Sequence, residues 1–373
     1  MIIEPKIRGF ICTTAHPDGC AKHVQDQIDY VKSQEPVTNG PKKVLVIGAS
    51  TGYGLSSRIM TAFGGSKAAT MGVFFEKAAE GKRTASAGWY NSAAFEEKAK
   101  DAGLYARSFN GDAFSDEMRT QVIEAIKADL GQIDMVIYSL ASPRRQHPRT
   151  GEVYRSVLKP IGKSYTNTSI NMMEERLEEV SLEIATAEEI DHTEKVMGGE
   201  DWSFWIDALN EAGVLAHGVT TVAYTYIGPR VTQDVYRQGT IGNAKDHLES
   251  TASVLNEKLK GINGRAFISS NKALVTQSSS AIPFIPLYFV ILTKIMQKKG
   301  IEEDCIQQIY RLFAGRLYAE KLIVDEKGFI RLDDLELRED VQQEVDVNWD
   351  KLSQELLHDL ADIPRYHKDF LRL

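Results

Sequence analysis

The chain has 373 residues, of which 43% are hydrophobic and 26% charged, with a formal net charge of -8. Those values describe a globular protein long enough to bury a large core, and the acidic balance argues against a nucleic-acid partner, which leaves a basic footprint. Three scattered cysteines (Cys12, Cys20 and Cys305) make a poor disulfide framework. Met1 to Lys6 carries no apolar signal core. The longest apolar run, Ala281 to Leu292, is broken by Pro283 and Pro286 and is shorter than the about 20 residues that span a bilayer. A cytoplasmic protein without a membrane segment is expected. The histidines show no ligand spacing and the cysteines do not cluster, so no metal site is expected either.

In chain order, a short strand at Ile7 to Thr13, a turn at His16-Pro17-Asp18-Gly19 and a polar helix near Val24 to Ser33 come first. Lys43-Val44-Leu45-Val46-Ile47 is an apolar, β-branched run that reads as a buried parallel strand. A glycine-rich turn and a helix through Ser56 to Ala62 follow. Met71 to Phe75 is a strand, Phe95 to Ala102 a helix, Tyr105 to Phe109 a strand, Asp116 to Asp129 a helix and Met135 to Leu140 a buried strand. This alternation predicts an α/β protein with a doubly wound parallel sheet. Residues 143–195 are less regular and read as an insertion over a sheet edge. Trp202 to Glu211 is a helix with Glu200-Asp201 at its positive end. Val219 to Tyr226 is a strand, Ala244 to Leu259 a long helix and Ala266 to Val275 the last sheet strand. The remainder reads as mostly helical, with a small hairpin around Lys327-Gly328. The expected organisation is an N-terminal addition (1–40), a core (41–300) with a substrate segment at about 277–298, and a C-terminal addition (301–373).

The turn after the first buried strand is Gly48-Ala49-Ser50-Thr51-Gly52-Tyr53-Gly54. Its glycines let the backbone turn tightly against a pyrophosphate, and the following helix aims its N–H groups at the anion. The spacing Gly-x3-Gly-x-Gly is that of short-chain dehydrogenases, in the strand–turn–helix context such a motif requires. Phe75-Glu76 ends the next strand, where an acid binds the adenosine ribose hydroxyls and repels a 2′-phosphate. NADH is therefore expected over NADPH, although Lys77, Lys82 and Arg83 lie close in sequence. The same turn also matches the Gly-x-Ser-x-Gly nucleophile elbow of α/β-hydrolases, with Ser50 as nucleophile. That reading needs a later histidine. After His247 only His358 and His367 remain, both in the polar C-terminal tail.

Tyr236 and Lys245 are nine positions apart, on opposite sides of any single straight helix. They converge only if Tyr236 sits in an irregular turn containing Gly239, with Lys245 on the helix. A nearby ammonium would favour an ionised tyrosine and make it a better acid. The short-chain spacing Tyr-x3-Lys is absent: Thr240 follows Tyr236 and Arg230 follows Tyr226 at that position.

These residues carry a family resemblance. Ala15-His16-Pro17-Asp18-Gly19-Cys20, Gly88-Trp89-Tyr90-Asn91, Gly111-Asp112-Ala113-Phe114, Tyr138 to Arg145, Val196 to Trp202 and Leu274-Val275-Thr276 resemble the FabV-type trans-2-enoyl reductases along the whole chain. The resemblance implies NADH-linked reduction of the carbon–carbon double bond of a 2-enoyl thioester, carried by CoA or by acyl carrier protein, with a place in fatty acid synthesis or in a short-chain crotonyl-CoA pathway. It implies Tyr236 as catalytic proton donor, Lys245 as its partner on the catalytic and cofactor side, and Tyr226 at the substrate thioester. It implies that Gly48, Ala49, Ser50, Thr51, Gly52, Tyr53, Phe75, Glu76, Asp112, Ala113, Leu140, Ala141, Leu274, Val275 and Thr276 line the dinucleotide, and that the protein is a monomer. Flavin is not indicated.

Two further segments follow from that reading. The apolar stretch Ala281 to Tyr288 suits an acyl pocket or lid, or equally a buried core helix. Arg144, Arg145, His147 and Arg149 form a basic cluster able to meet the phosphates of CoA or a phosphopantetheine arm. A non-catalytic NADH sensor and a Ser50 hydrolase remain the readings from other classes.

Overall fold

The computed structural model describes residues 3–8, 11–280 and 282–371. Strands β1 (Ile7–Arg8) and β2 (Ile11–Cys12) pair antiparallel with each other. The single strand expected at Ile7 to Thr13 therefore folds back on itself, and its residues 9 and 10 lie outside the described ones. Helix α1 (Pro17–Ser33) starts at Pro17, well before the expected Val24. Proline lacks an N–H where a first helical turn has no partner for one, so the Pro17 segment opens the helix and forms no separate turn.

The expected alternation follows: β3 (Lys43–Ile47), α2 (Gly52–Phe63), β4 (Ala69–Phe74), α3 (Ala87–Asp101), β5 (Ala106–Asn110), α4 (Asp116–Ala125) and β6 (Ile133–Tyr138). Helix α3 begins earlier than the expected Phe95. The buried residues of its first half are Ala87, Gly88, Asn91, Ser92 and Ala94, all small or polar, which leaves little apolar periodicity to read. After β6 come two antiparallel hairpins, β7 (Arg144–Gln146) with β8 (Val153–Arg155) and β9 (Tyr165–Asn171) with β10 (Arg176–Leu182). Helices α5 (Ala187–Met197) and α6 (Glu200–Glu211) lead to β11 (Leu215–Thr225), α7 (Thr240–Leu259) and β12 (Arg265–Ser270). The C-terminal part holds α8 (Gln277–Ser280), α9 (Ile285–Lys298), α10 (Cys305–Leu312), β13 (Ile330–Arg331), α11 (Glu339–Asp350), α12 (Leu357–Leu360) and α13 (Ile363–Leu371).

Seven of these strands form one sheet in the order β13-β12-β11-β6-β3-β4-β5, with every pair parallel. This is the Rossmann-type doubly wound sheet expected. The chain order reverses between β3 and β6, and open α/β sheets bind ligands in the crevice beyond the strand ends there. One apolar core lies under α4, α6 and α7, with Trp202, Trp205 and Leu255 in it. The opposite core holds Ile28, Ile59, Phe95 and Ile309 from α1, α2, α3 and α10. A third cluster surrounds α9 and includes Val341, Leu357, Ile363 and Tyr366. Among the described residues no helix is long and apolar enough to cross a membrane.

Two expectations near the sheet edge are corrected. Strand β12 ends at Ser270, not Val275, because after a last ladder bond from Asn271 N–H the next two backbone N–H groups turn away from the ladder. Those of Lys272 and Ala273 go to the side chains of Gln308 and Glu336. The segment at Lys327-Gly328 is a tight turn, with Gly328 N–H bonded to Asp325 O. The strand after it, β13, pairs parallel with β12 and so becomes the seventh sheet strand in place of a hairpin.

Candidate active site

The crevice is built first by the exit of β3. Gly48 has φ +87°, and a Cβ there would run into the backbone carbonyl of Ser139 at the end of β6. A Cβ on Gly54 would strike the Gly48 carbonyl. Both glycines are required for the helix to start this close to the strand. Thr51 is the N-cap of α2 but offers no side-chain cap bond, and the first turn holds no acid. The N–H groups at that end are left for an anion, which the helix dipole also favours.

Glu76 stands beside this turn. The Ser50 hydroxyl donates to its Oε1 at 2.7 Å and the Ser86 hydroxyl to its Oε2 at 2.5 Å. Its backbone N–H donates to Asn110 Oδ1 at 2.7 Å. A Cβ on Gly88 would collide with the same carboxylate, so α3 can approach only with glycine at that position. Phe75 is 80% exposed at the tip of β4. Asp112 and Ala141 are exposed, and Leu140 half-buried, at the ends of β5 and β6. Asp112 Oδ1 accepts the Phe114 N–H, and the buried Ala113 offers its carbonyl to Trp205.

Leu274, Val275 and Thr276 lie in the loop after β12, half-buried. An added Cβ on Gly52 would sit 3.9 Å from Thr276 Cγ2, so this loop closes over the glycine turn. The Tyr53 hydroxyl fastens the two together through the Lys272 carbonyl at 2.9 Å and Gln308 Oε1 at 3.0 Å. The glycine turn, Glu76 and the 274–276 loop thus form one continuous cradle. Its shape and donors fit a dinucleotide with free ribose hydroxyls.

Tyr236 sits in the turns that precede α7, with Lys245 on the helix itself. A Cβ on Gly242 would collide with the Arg237 carbonyl, so that glycine allows the tight entry. Tyr236 is buried, and its hydroxyl makes no protein hydrogen bond among the described residues. Its ring packs edge-on against Tyr226 at 5.1 Å. Burial pushes the Tyr236 hydroxyl well above the usual tyrosine range, and Arg237 pulls it back in part. Arg237 is the neighbouring cation that lowers it, and burial outweighs that pull. Tyr236 stays protonated, as a hydrogen-bond donor must. Burial pushes the half-buried Lys245 ammonium down to about 8, while Glu249 holds it up and Arg237 lowers it further. Lys245 has no hydrogen bond or ion pair among the described residues.

The basic cluster is also corrected. Arg145 is buried, donates to Glu200 at 2.7 Å and to the Lys195 carbonyl, and stacks on Phe114 and Phe204. Its charge is spent inside the fold and cannot meet a ligand phosphate; Arg144 and Arg149 remain exposed. Ala281 lies outside the described residues. Ile285 to Leu292 are buried on every side of α9, which makes that part of the apolar stretch core. Ser86, Gln308 and Glu336 enter the site without any sequence signal, and Tyr288, read only as the end of the apolar stretch, joins them through its bond to Glu336.

The fold and the cradle define a dinucleotide-dependent oxidoreductase of the doubly wound class. Family models described as the trans-2-enoyl-CoA reductase catalytic region and the NAD(P)H binding domain of trans-2-enoyl-CoA reductase match residues 83–318 and 2–81. A third, described as an enoyl reductase FAD binding domain, matches residues 324–373. An enoyl-[acyl-carrier-protein] reductase [NADH] of Cytophaga hutchinsonii is 58% identical, over 100% of this chain and 94% of its own. A trans-2-enoyl-CoA reductase [NADH] of Ruminiclostridium cellulolyticum is 56% identical, with all of this chain covered and 94% of the relative. The crystal structure of Treponema denticola trans-2-enoyl-CoA reductase in complex with NAD superposes with a TM-score of 0.96 at 50% identity, covering 100% of this chain and 94% of that one. The chain belongs to the trans-2-enoyl-CoA reductase family. Residues 324–373 do not fit a flavin: their one glycine, Gly328, lies in a turn with open space around it, and α11 to α13 bury their apolar faces against α9.

Proposed function

We propose that the protein is an NADH-dependent reductase of trans-2-enoyl thioesters, acting in the cytoplasm as a monomer in fatty acid synthesis. The observation that carries the reading is the union of the dinucleotide cradle with a buried, unpartnered tyrosine hydroxyl at the adjoining strand end. When bound, NADH supplies hydride to the β-carbon of the enoyl thioester. The α2 N-terminus holds the pyrophosphate, and Glu76 accepts hydrogen bonds from the adenosine ribose and repels a 2′-phosphate. Tyr236 donates to the thioester oxygen, where negative charge grows, and is the proton donor; Tyr226 stands beside it against the substrate. Lys245 holds the nicotinamide ribose. Exposed Arg144 and Arg149 suit an anionic carrier. The relatives are named for both acyl-carrier-protein and CoA substrates, so short-chain enoyl-CoA reduction is the second reading.

NADH oxidation with crotonyl-CoA, and with a longer enoyl group on acyl carrier protein, tests this directly. Turnover with neither substrate would leave an NADH sensor. Ser50→Ala separates the reductase from a hydrolase. A reductase keeps kcat and raises the NADH KM by no more than about tenfold, since Glu76 loses one of its hydrogen bonds. A hydrolase would lose all thioester cleavage.

Lys245 gives a pH prediction. Its ammonium is present below about 8 and lost above it. The NADH KM of the wild type should therefore climb as pH rises through that value. Lys245→Met should show a raised KM with no such climb. A flat wild-type profile between pH about 7 and 9 would remove Lys245 from the ribose.

A further inference from the structure

Glu336 is fully buried and far from Tyr226 in sequence, yet it touches both halves of the site. It lies in the tight turn after β13. That turn is pinned to the end of β12: Leu332 N–H and Asp333 N–H both donate to Ser270 O, and the Ser270 hydroxyl donates to Asp333 Oδ2 at 2.7 Å. The carboxylate then accepts three hydrogen bonds. Tyr226 donates to Oε1 at 3.0 Å, Tyr288 to the same oxygen at 2.7 Å, and Ala273 N–H to Oε2 at 2.7 Å. Gln342 donates to the Tyr288 oxygen at 3.2 Å, which leaves that tyrosine's proton to face Glu336.

A tyrosine has one hydroxyl proton. While Glu336 is ionised it can only accept, so the proton of Tyr226 is committed to it. Tyr226 then presents lone pairs and its ring edge to the crevice and has no proton to give a thioester oxygen. Tyr236, packed on that ring, is the hydroxyl left free to donate.

We propose that Glu336 is a positioning residue for the reaction: by holding the Tyr226 proton and the Ala273 N–H it fixes the substrate-side tyrosine and the cofactor loop together, and reserves the donor role for Tyr236. The inference rests on the enoyl-reductase reading given above. It also gives residues 324–373 a part in catalysis that needs no flavin. The groups facing this carboxylate are Tyr226 from the end of β11, Tyr288 from α9, and Lys272 and Tyr53 from the loop and α2. The Lys272 ammonium is engaged with Glu302 at 3.0 Å. Asp333 in the same turn is held by Arg331. Burial pushes the Glu336 carboxyl up to about 6, against the pull of the Ala273 N–H, Lys272 and the two tyrosines. Protonation would turn it into a donor and release the Tyr226 proton, so wild-type kcat should fall as pH drops through that value.

The test compares pH profiles of kcat for wild type, Glu336→Gln, Tyr226→Phe and Tyr236→Phe with crotonyl-CoA. Glutamine keeps an oxygen for Ala273 N–H but turns a donor toward the tyrosines. The expected loss is about ten- to hundredfold in kcat, with an NADH KM close to wild type and no acid limb. Tyr226→Phe should also lack the acid limb, and the double variant should be no worse than the poorer single one. If Glu336→Gln does not fold, the Tyr226→Phe profile decides alone. An acid limb that persists in Tyr226→Phe, or a Glu336→Gln enzyme with wild-type kcat and profile, would overturn the proposal. Failure of the underlying reading looks different: Tyr236→Phe would then turn over normally.

Discussion

Tyr236→Phe is expected to lower kcat by about 10²- to 10⁴-fold, the range for losing a positioned proton donor. The substitution is clean. Phenylalanine keeps the ring that packs on Tyr226 at 5.1 Å. The hydroxyl it removes has no protein partner among the described residues, so no buried group is orphaned and stability should shift by less than about 1 kcal/mol. Binding of NADH, read by fluorescence, should stay within about twofold, since the interaction lost is one made to the developing enolate. A fall in affinity with kcat preserved would make Tyr236 a wall of the pocket and leave the proton to another group.

The sheet was legible because its strands obey a simple rule. Val44 to Ile47 are buried on both faces, so they read as an unbroken apolar run, and the glycines after them mark a place where backbone meets backbone. Glu76 was legible because its distance from that turn is set by the βαβ unit. The irregular entry of Tyr236 before α7 followed from its spacing to Lys245, since no straight helix can present both. The environment of the pair was not legible. Arg237 is next to Tyr236 in sequence, but that its field reaches the phenol while burial dominates depends on packing. The early start of α3 was hidden because small residues carry no periodicity. The end of β12 was hidden because it is decided by Gln308 and Glu336, acceptors brought in by the C-terminal part of the chain. Arg145 looked like a ligand contact because a sequence shows charge and not the Glu200 that neutralises it.

Gly48→Ala should be the most damaging single methyl group in the cradle. Two costs combine. At φ +87° an L-residue sits outside the comfortable left-handed region, a strain of about 1–3 kcal/mol. The new Cβ also meets the Ser139 carbonyl, which cannot retreat: the Ser139 N–H is bonded to Ile47 O at 2.8 Å, and β3 and β6 are locked in register from Val44 to Ile47. The Gly48 and Ala49 N–H groups share the Val73 carbonyl at 2.9 and 3.0 Å, so a shift at Gly48 drags the turn away from β4 as well. A stability loss of about 3 kcal/mol is expected, together with a fall in NADH affinity of about a hundredfold, the equivalent of roughly 2.7 kcal/mol. Gly81→Ala is the control. It too has positive φ, but its Cβ meets nothing within 4 Å, so it should pay the strain alone and leave NADH affinity unchanged. Equal losses of affinity in the two variants would mean that backbone strain, and not the closeness of β3 to β6, governs the cradle.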